Sequence, residues 1–169
     1  MNQTVGKIGH PALTDEETGL PNQLHFDTVF DVLFAIGSRG VPMTVLLLEI
    51  EGFEGWAGST ESEEVSRALR SVGDSLVLTV RESDLVARTG EKRFSVLLID
   101  CNIAGAVLVA DRVDDLLDKV RARTKLGFCL GGAAFNLDMK ESADLSGAAE
   151  EALRVAQARG PNQMEFSRS

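Results

Sequence analysis

Charge gathers in this chain where the backbone must turn. Arg81-Glu82-Ser83-Asp84 is a charged turn, and Thr89-Gly90-Glu91-Lys92-Arg93 separates two apolar runs, Leu85–Ala87 and Phe94–Leu98. Planar guanidinium groups pair with phosphate oxygens, so two or three local arginines can hold a compact phosphate ligand even on an acidic protein. A charged hairpin tip also suits recognition of another protein better than core packing. Glu49 adds a carboxylate at the end of the apolar run Met43–Ile50. Cys101 and Cys129 stand far apart without a CxxC or a Cys/His cluster, and they read as buried free thiols. His10 and His25 are too isolated for a histidine-based metal site, so no metal and no cofactor is expected.

These residues need a scaffold, and hydrophobic periodicity supplies one. Phe26, Val29, Phe30, Leu33 and Ile36 recur at helical spacing until Gly37. MTVLLLEI reads as a central buried strand. A loop with Gly52, Gly55 and Gly58 follows. Thr60 and Glu63 then form a capping-box pattern before a helix with Val65, Leu69, Val72, Leu76 and Val80 on its apolar face. After the two hairpin strands, Asn102 caps a third helix, LGFCLGGAAF is a glycine-rich strand, and a last helix runs from Ala143 to Arg159 before Gly160-Pro161. QMEF reads as a terminal edge strand. The centre is β-α-β-β-α-β, an α+β sandwich of ferredoxin-like type with helices flanking a mainly antiparallel sheet.

The 169 residues make one domain's worth of chain, with residues 1–14 expected as a flexible leader and 15–169 as the domain. Net charge is −9, which disfavours a nucleic-acid groove or adhesion to anionic lipid. The first residues lack the apolar core of a signal peptide, and no run approaches a membrane span, so a cytoplasmic protein is expected.

Four blocks resemble one family in order and separation. DEETGLPNQLHF resembles the opening signature D-x-L-T-G-L-x-N-R-x-x-F of GGDEF domains, the bacterial diguanylate cyclases. LLLEIEGFEGW resembles their D-I-D-x-F-K strand end, SDLVARTGEKRFSVLL their R-x-G-G-D-E-F hairpin, and EEALRVAQARGPNQ their terminal helix and turn. The resemblance implies the nucleotidyl-cyclase variant of the fold read above. It also implies an enzyme whose paired, GTP-loaded domains make cyclic di-GMP with carboxylate-bound Mg²⁺.

The residues that the resemblance assigns to that chemistry have changed. Gly90-Glu91-Lys92-Arg93-Phe94 replaces G-G-D-E-F, so a side chain fills the second glycine and two cations replace two acids. Glu49 stands for the metal-binding Asp. Ala57 and Ser66 fall where guanine is read, and Gln157 and Pro161 where Lys and Arg bind triphosphate. A degenerate domain without enzymatic activity is therefore expected. In the same register, Arg81-x-x-Asp84 resembles the product-inhibition motif five residues before the signature loop, and Arg112 its companion arginine. There guanidinium groups grip guanine or phosphate and Asp accepts from the guanine edge. The plainer reading is a helix-ending cation at Arg81, a turn aspartate at Asp84 and a solvated Arg112, with Glu82, Asp111 or Asp114 available to pair with the arginines. Trp56 is expected to fill the altered GTP cleft or to form a partner contact. The expectation is a cyclic di-GMP receptor or signalling adaptor; the alternatives are a ligand-independent interaction module, with another signalling protein or a second copy as partner, and an active cyclase with unorthodox ligands.

Overall fold

The apolar runs fold into five strands and five helices, described over residues 10–167 in a computed structural model. In chain order these are α1 (Gln23–Gly37), β1 (Met43–Glu51), α2 (Phe53–Gly58), α3 (Ser62–Thr79), β2 (Leu85–Arg88), β3 (Arg93–Ile99), α4 (Ile103–Thr124), β4 (Gly127–Ala134), α5 (Ser142–Ala158) and β5 (Met164–Phe166). The sheet order is β2-β3-β1-β4-β5. All neighbours are antiparallel except β4 and β5, which run parallel.

The continuous apolar run in β1 has a direct cause, because this strand is buried on both faces. Leu46, Leu48 and Ile50 join the core against α3 and α4. Val45 and Leu47 join a second core against α1 and α5. Alternation in such a strand sorts side chains between two dry layers rather than between core and water. On α1 the buried stripe is Phe26, Phe30 and Phe34, while Ile36, expected on that stripe, is 38% exposed.

Three local expectations need correction. The glycine-rich loop after β1 is helical over Phe53–Gly58, because Gly52 at φ 78° turns the chain and Phe53 can then bury its ring. The capping box does not form: Thr60 Oγ1 donates to the Trp56 carbonyl at 2.5 Å, and Glu61 precedes the helix without a side-chain cap bond. Residues 11–14, expected in a flexible leader, are structured: Pro11–Leu13 form a 3-10 turn and Thr14 bridges Pro21. Residues 1–9 of that leader lie outside the described residues. The expected cap at Asn102 holds, accepting from Gly105 N–H at 3.0 Å; Asn22 likewise accepts from His25 N–H at 3.1 Å, and Asp144 accepts from Glu141 N–H at 3.1 Å in a capping box at the start of α5.

The glycines of β4 set how deeply α5 lies on the sheet. A Cβ on Gly131 would stand 2.5 Å from Leu153 Cα and closer still to its backbone nitrogen. Backbone cannot yield as a side-chain tip can, so Gly131→Ala should lower stability by at least about 2 kcal/mol. Urea denaturation checks this through a lower midpoint at unchanged slope.

Candidate functional site

The signature turn connects β2 and β3 at the end of the sheet where β1 finishes, and β3 pairs Arg93 directly opposite Glu49. Arg93 Nε and Nη2 both donate to Glu49 Oε2, at 2.9 and 2.7 Å, and Arg93 Nη1 also reaches Glu150 on α5. Lys92 Nζ lies 2.8 Å from Glu54 and 3.6 Å from Glu49. Gln157 Nε2 completes the enclosure, donating to Glu49 at 3.1 Å and to Glu51 at 2.8 Å. Burial pushes the Glu49 carboxyl up, but the Arg93 hydrogen bond and charge, with Gln157 and Lys92, hold it below its ordinary value of 4.5. A divalent cation needs several free oxygens here, and it would meet the Lys92 ammonium, the Arg93 guanidinium and a carboxylate already neutralised. The residues present do not fit Mg²⁺.

The surrounding positions have internal partners as well. Ser66 donates to Glu17 Oε1 at 2.7 Å. Arg88, 9% exposed, meets Glu17 at 2.8 Å and Asp15 at 3.3 Å, and its Nη2 donates to the Glu91 carbonyl at 2.6 Å. This guanidinium fastens the segment before α1 to the signature turn. Trp56 packs on Phe53 with ring centroids 6.3 Å apart and leans on the core below. Pro161 lies exposed in the turn before β5.

A different arrangement stands at the opposite end of β3. Arg81, Asp84 and Arg112 line one pocket of about 230 Å³, with Leu98, Val109 and Leu108 as apolar neighbours. Gly105, Leu108, Val109 and Arg112 line it from α4 at spacings of three and four, which puts them on one helical face. Asp84 Oδ2 accepts from the Arg81 N–H at 2.8 Å, and Oδ1 accepts from the Ile99 N–H at 3.0 Å. Its carboxylate thus continues the β2–β3 ladder for one rung and fixes the turn that carries Arg81.

Among the described residues neither Arg81 nor Arg112 enters an ion pair. Asp114, an expected competitor for Arg112, instead holds Arg121. Cys101 lies in the same pocket, and burial followed by the Asp84 charge pushes its thiol pKa up, which keeps it protonated. Sequence reasoning named the three charged residues and missed Cys101, Leu108 and Val109. The helical spacing back from Arg112 was the available signal for the two α4 residues. Both cysteines are free, Cys129 buried and Cys101 half-buried.

Comparison with known proteins gives a consistent result. Residues 12–163 match the family described as "Diguanylate cyclase, GGDEF domain". Diguanylate cyclase DosC of Escherichia coli K12 is 28% identical over 168 residues, covering 93% of this chain and 35% of that protein. The chain therefore spans about a third of the length of the curated relatives it matches first. The GGDEF domain of DgcB from Caulobacter crescentus, solved in complex with c-di-GMP, superposes with a TM-score of 0.81 at 19% identity, covering 95% and 98% of the two chains. Diguanylate cyclase SiaD of Pseudomonas aeruginosa, solved with its activator SiaC, superposes at 0.82 with 22% identity, covering 92% of this chain and 62% of that one. Among the described residues no helix is long and apolar enough to cross a membrane.

The enclosure around Glu49 predicts an acid-side signature. Glu49 releases its proton more readily folded than unfolded, so its contribution is complete above 4.5 and fades as pH falls towards the lower folded value. Glu49→Gln should cost about 1–3 kcal/mol at neutral pH, since it leaves Arg93 and Lys92 facing a neutral amide. It should also flatten the loss of stability below the ordinary carboxylate range. Urea unfolding of both proteins across that range measures both effects.

Proposed function

Because the chain belongs to the GGDEF domain family, we propose that it is a member without cyclase activity that serves as a cyclic di-GMP receptor or signalling adaptor. One observation carries the reading: the two arginines of one pocket are unpaired among the described residues, while the two cations of the signature turn, Lys92 and Arg93, are neutralised from within. Arg81 and Arg112 offer fork-shaped donors to a phosphate or a guanine edge. Leu108 and Val109 offer a face for a purine. Asp84 retains a second lone pair on each oxygen for a guanine N–H, though its first are engaged by backbone.

Loss of the cyclase reaction follows from the same charges. Glu91 adds a side chain where the phosphates need bare backbone, Lys92 and Arg93 repel Mg²⁺, and Gln157 and Pro161 supply no cation for a triphosphate. Docking of another protein through the signature tip draws less support, because Lys92 and Arg93 are engaged by Glu49, Glu54 and Glu150.

Calorimetric titration with cyclic di-GMP tests the receptor reading. The wild type should bind, and Arg81→Ala or Arg112→Ala should weaken binding about tenfold or more for one lost charge-assisted contact. No heat from the wild type, or equal affinity in all three proteins, would sink it. Incubation with GTP and Mg²⁺ or Mn²⁺ should yield no cyclic di-GMP by chromatography, and measurable turnover would refute the inactive assignment.

A further inference from the structure

A second cavity lies on the other face of the sheet, between α1 and α5, and shares no residue with the pocket of Arg81 and Arg112. It encloses about 430 Å³, within the range of small-molecule sites of about 300–1,000 Å³. Its floor is apolar: Phe26, Phe30, Val45 and Leu47 line it, each 5% exposed or less. The two phenyl rings stand 5.6 Å apart at 47°, so an aromatic guest would meet ring edges and faces rather than only methyl groups.

Polar groups interrupt that floor in one place. Thr89 and Ser95 hydroxyls bond to each other at 2.7 Å, and Ser95 is only 3% exposed. Two hydroxyls carry two protons and their mutual bond uses one, so the pair keeps one donor and spare lone pairs for an occupant. A serine on a core-facing strand position has no packing advantage, and its unused bonding capacity faces the cavity it lines.

The mouth carries the opposite of a phosphate site. Asp27 and Asp31 come from α1, and Glu150 from α5. The one cation among the lining residues, Arg93, is engaged by Glu49 and Glu150. Asp27 accepts from Gln23 Nε2 at 2.7 Å and Asp31 from the Ser142 hydroxyl, and among the described residues neither carboxylate meets a cation. An anion is repelled here, and an ammonium group is attracted.

We propose that this cleft binds a small aromatic amine bearing a phenolic hydroxyl. The ring lies on Phe26, Phe30 and Leu47, the ammonium faces Asp27 and Asp31, and the phenol meets the Thr89–Ser95 pair. Each part of the guest answers a separate feature of the wall, so each can be removed in turn.

Titration of the full chain with tyramine, followed by calorimetry and by ring-current shifts of the Phe26 and Phe30 protons, tests the site. Tyramine should bind and shift those protons. Phenethylamine, which lacks the phenol, should bind more weakly, and 3-(4-hydroxyphenyl)propionate, which reverses the charge, should not bind. Asp27→Asn with Asp31→Asn should weaken tyramine about tenfold, as expected for losing its charge-assisted contacts. Ser146→Phe, which fills the cleft from α5, should abolish binding while thermal unfolding verifies a folded chain. Silence towards tyramine at millimolar concentration, equal binding of the carboxylate analogue, or binding that survives both variants would overturn the assignment.

Discussion

The close approach of α5 to β4 governs much of this molecule. Gly131 has no side chain because the Leu153 backbone occupies the space a Cβ would need. Pressed to that depth, α5 brings Gln157 to Glu49 and Glu51, and Glu150 to Arg93. At its N-terminal end α5 is tied to α1 by the Ser142–Asp31 hydrogen bond. The enclosure of Glu49 thus depends on a contact too tight for any residue but glycine.

Strand β3 then divides the chemistry of the domain. Its first residue, Arg93, belongs to a cluster in which each charge has a partner. Its last, Ile99, gives its N–H to Asp84 and so steadies a turn whose arginine has none among the described residues. Seven residues of strand span about 20 Å, roughly two Debye lengths at physiological salt, so neutralisation at one end does little to the potential at the other. An acidic chain can in this way keep a local cationic pocket.

The sequence was most readable where one physical effect dominates. Burial on both faces makes β1 a continuous apolar run, and the periodicity marked α3 and α5 to within a residue or two and the start of α4 after Asn102. It was least readable where several weak effects compete. Nothing in Gly52 to Gly58 announces a helix, because three glycines disfavour one and only the burial of Phe53 offsets them. Thr60 had the right spacing for a cap, yet the turn of α2 offered its hydroxyl a nearer carbonyl. For the site, register alone led to Arg81, Asp84 and Arg112. That Lys92 and Arg93 would be absorbed by Glu49, Glu54 and Glu150 depends on how three elements meet, and no local pattern encodes it.

The caged carboxylate at Glu49 also constrains which sequences are accessible from this one. Arg93→Glu alone would set two carboxylates opposite each other across β1 and β3, with Glu150 as a third nearby. Lys92→Asp alone would remove the partner of Glu54 and add an acid to the same corner. Either step incurs repulsion at once. Each cation thus stabilises the enclosure that makes its own replacement by an acid unfavourable, so the two positions are held together by the carboxylates around them rather than one at a time.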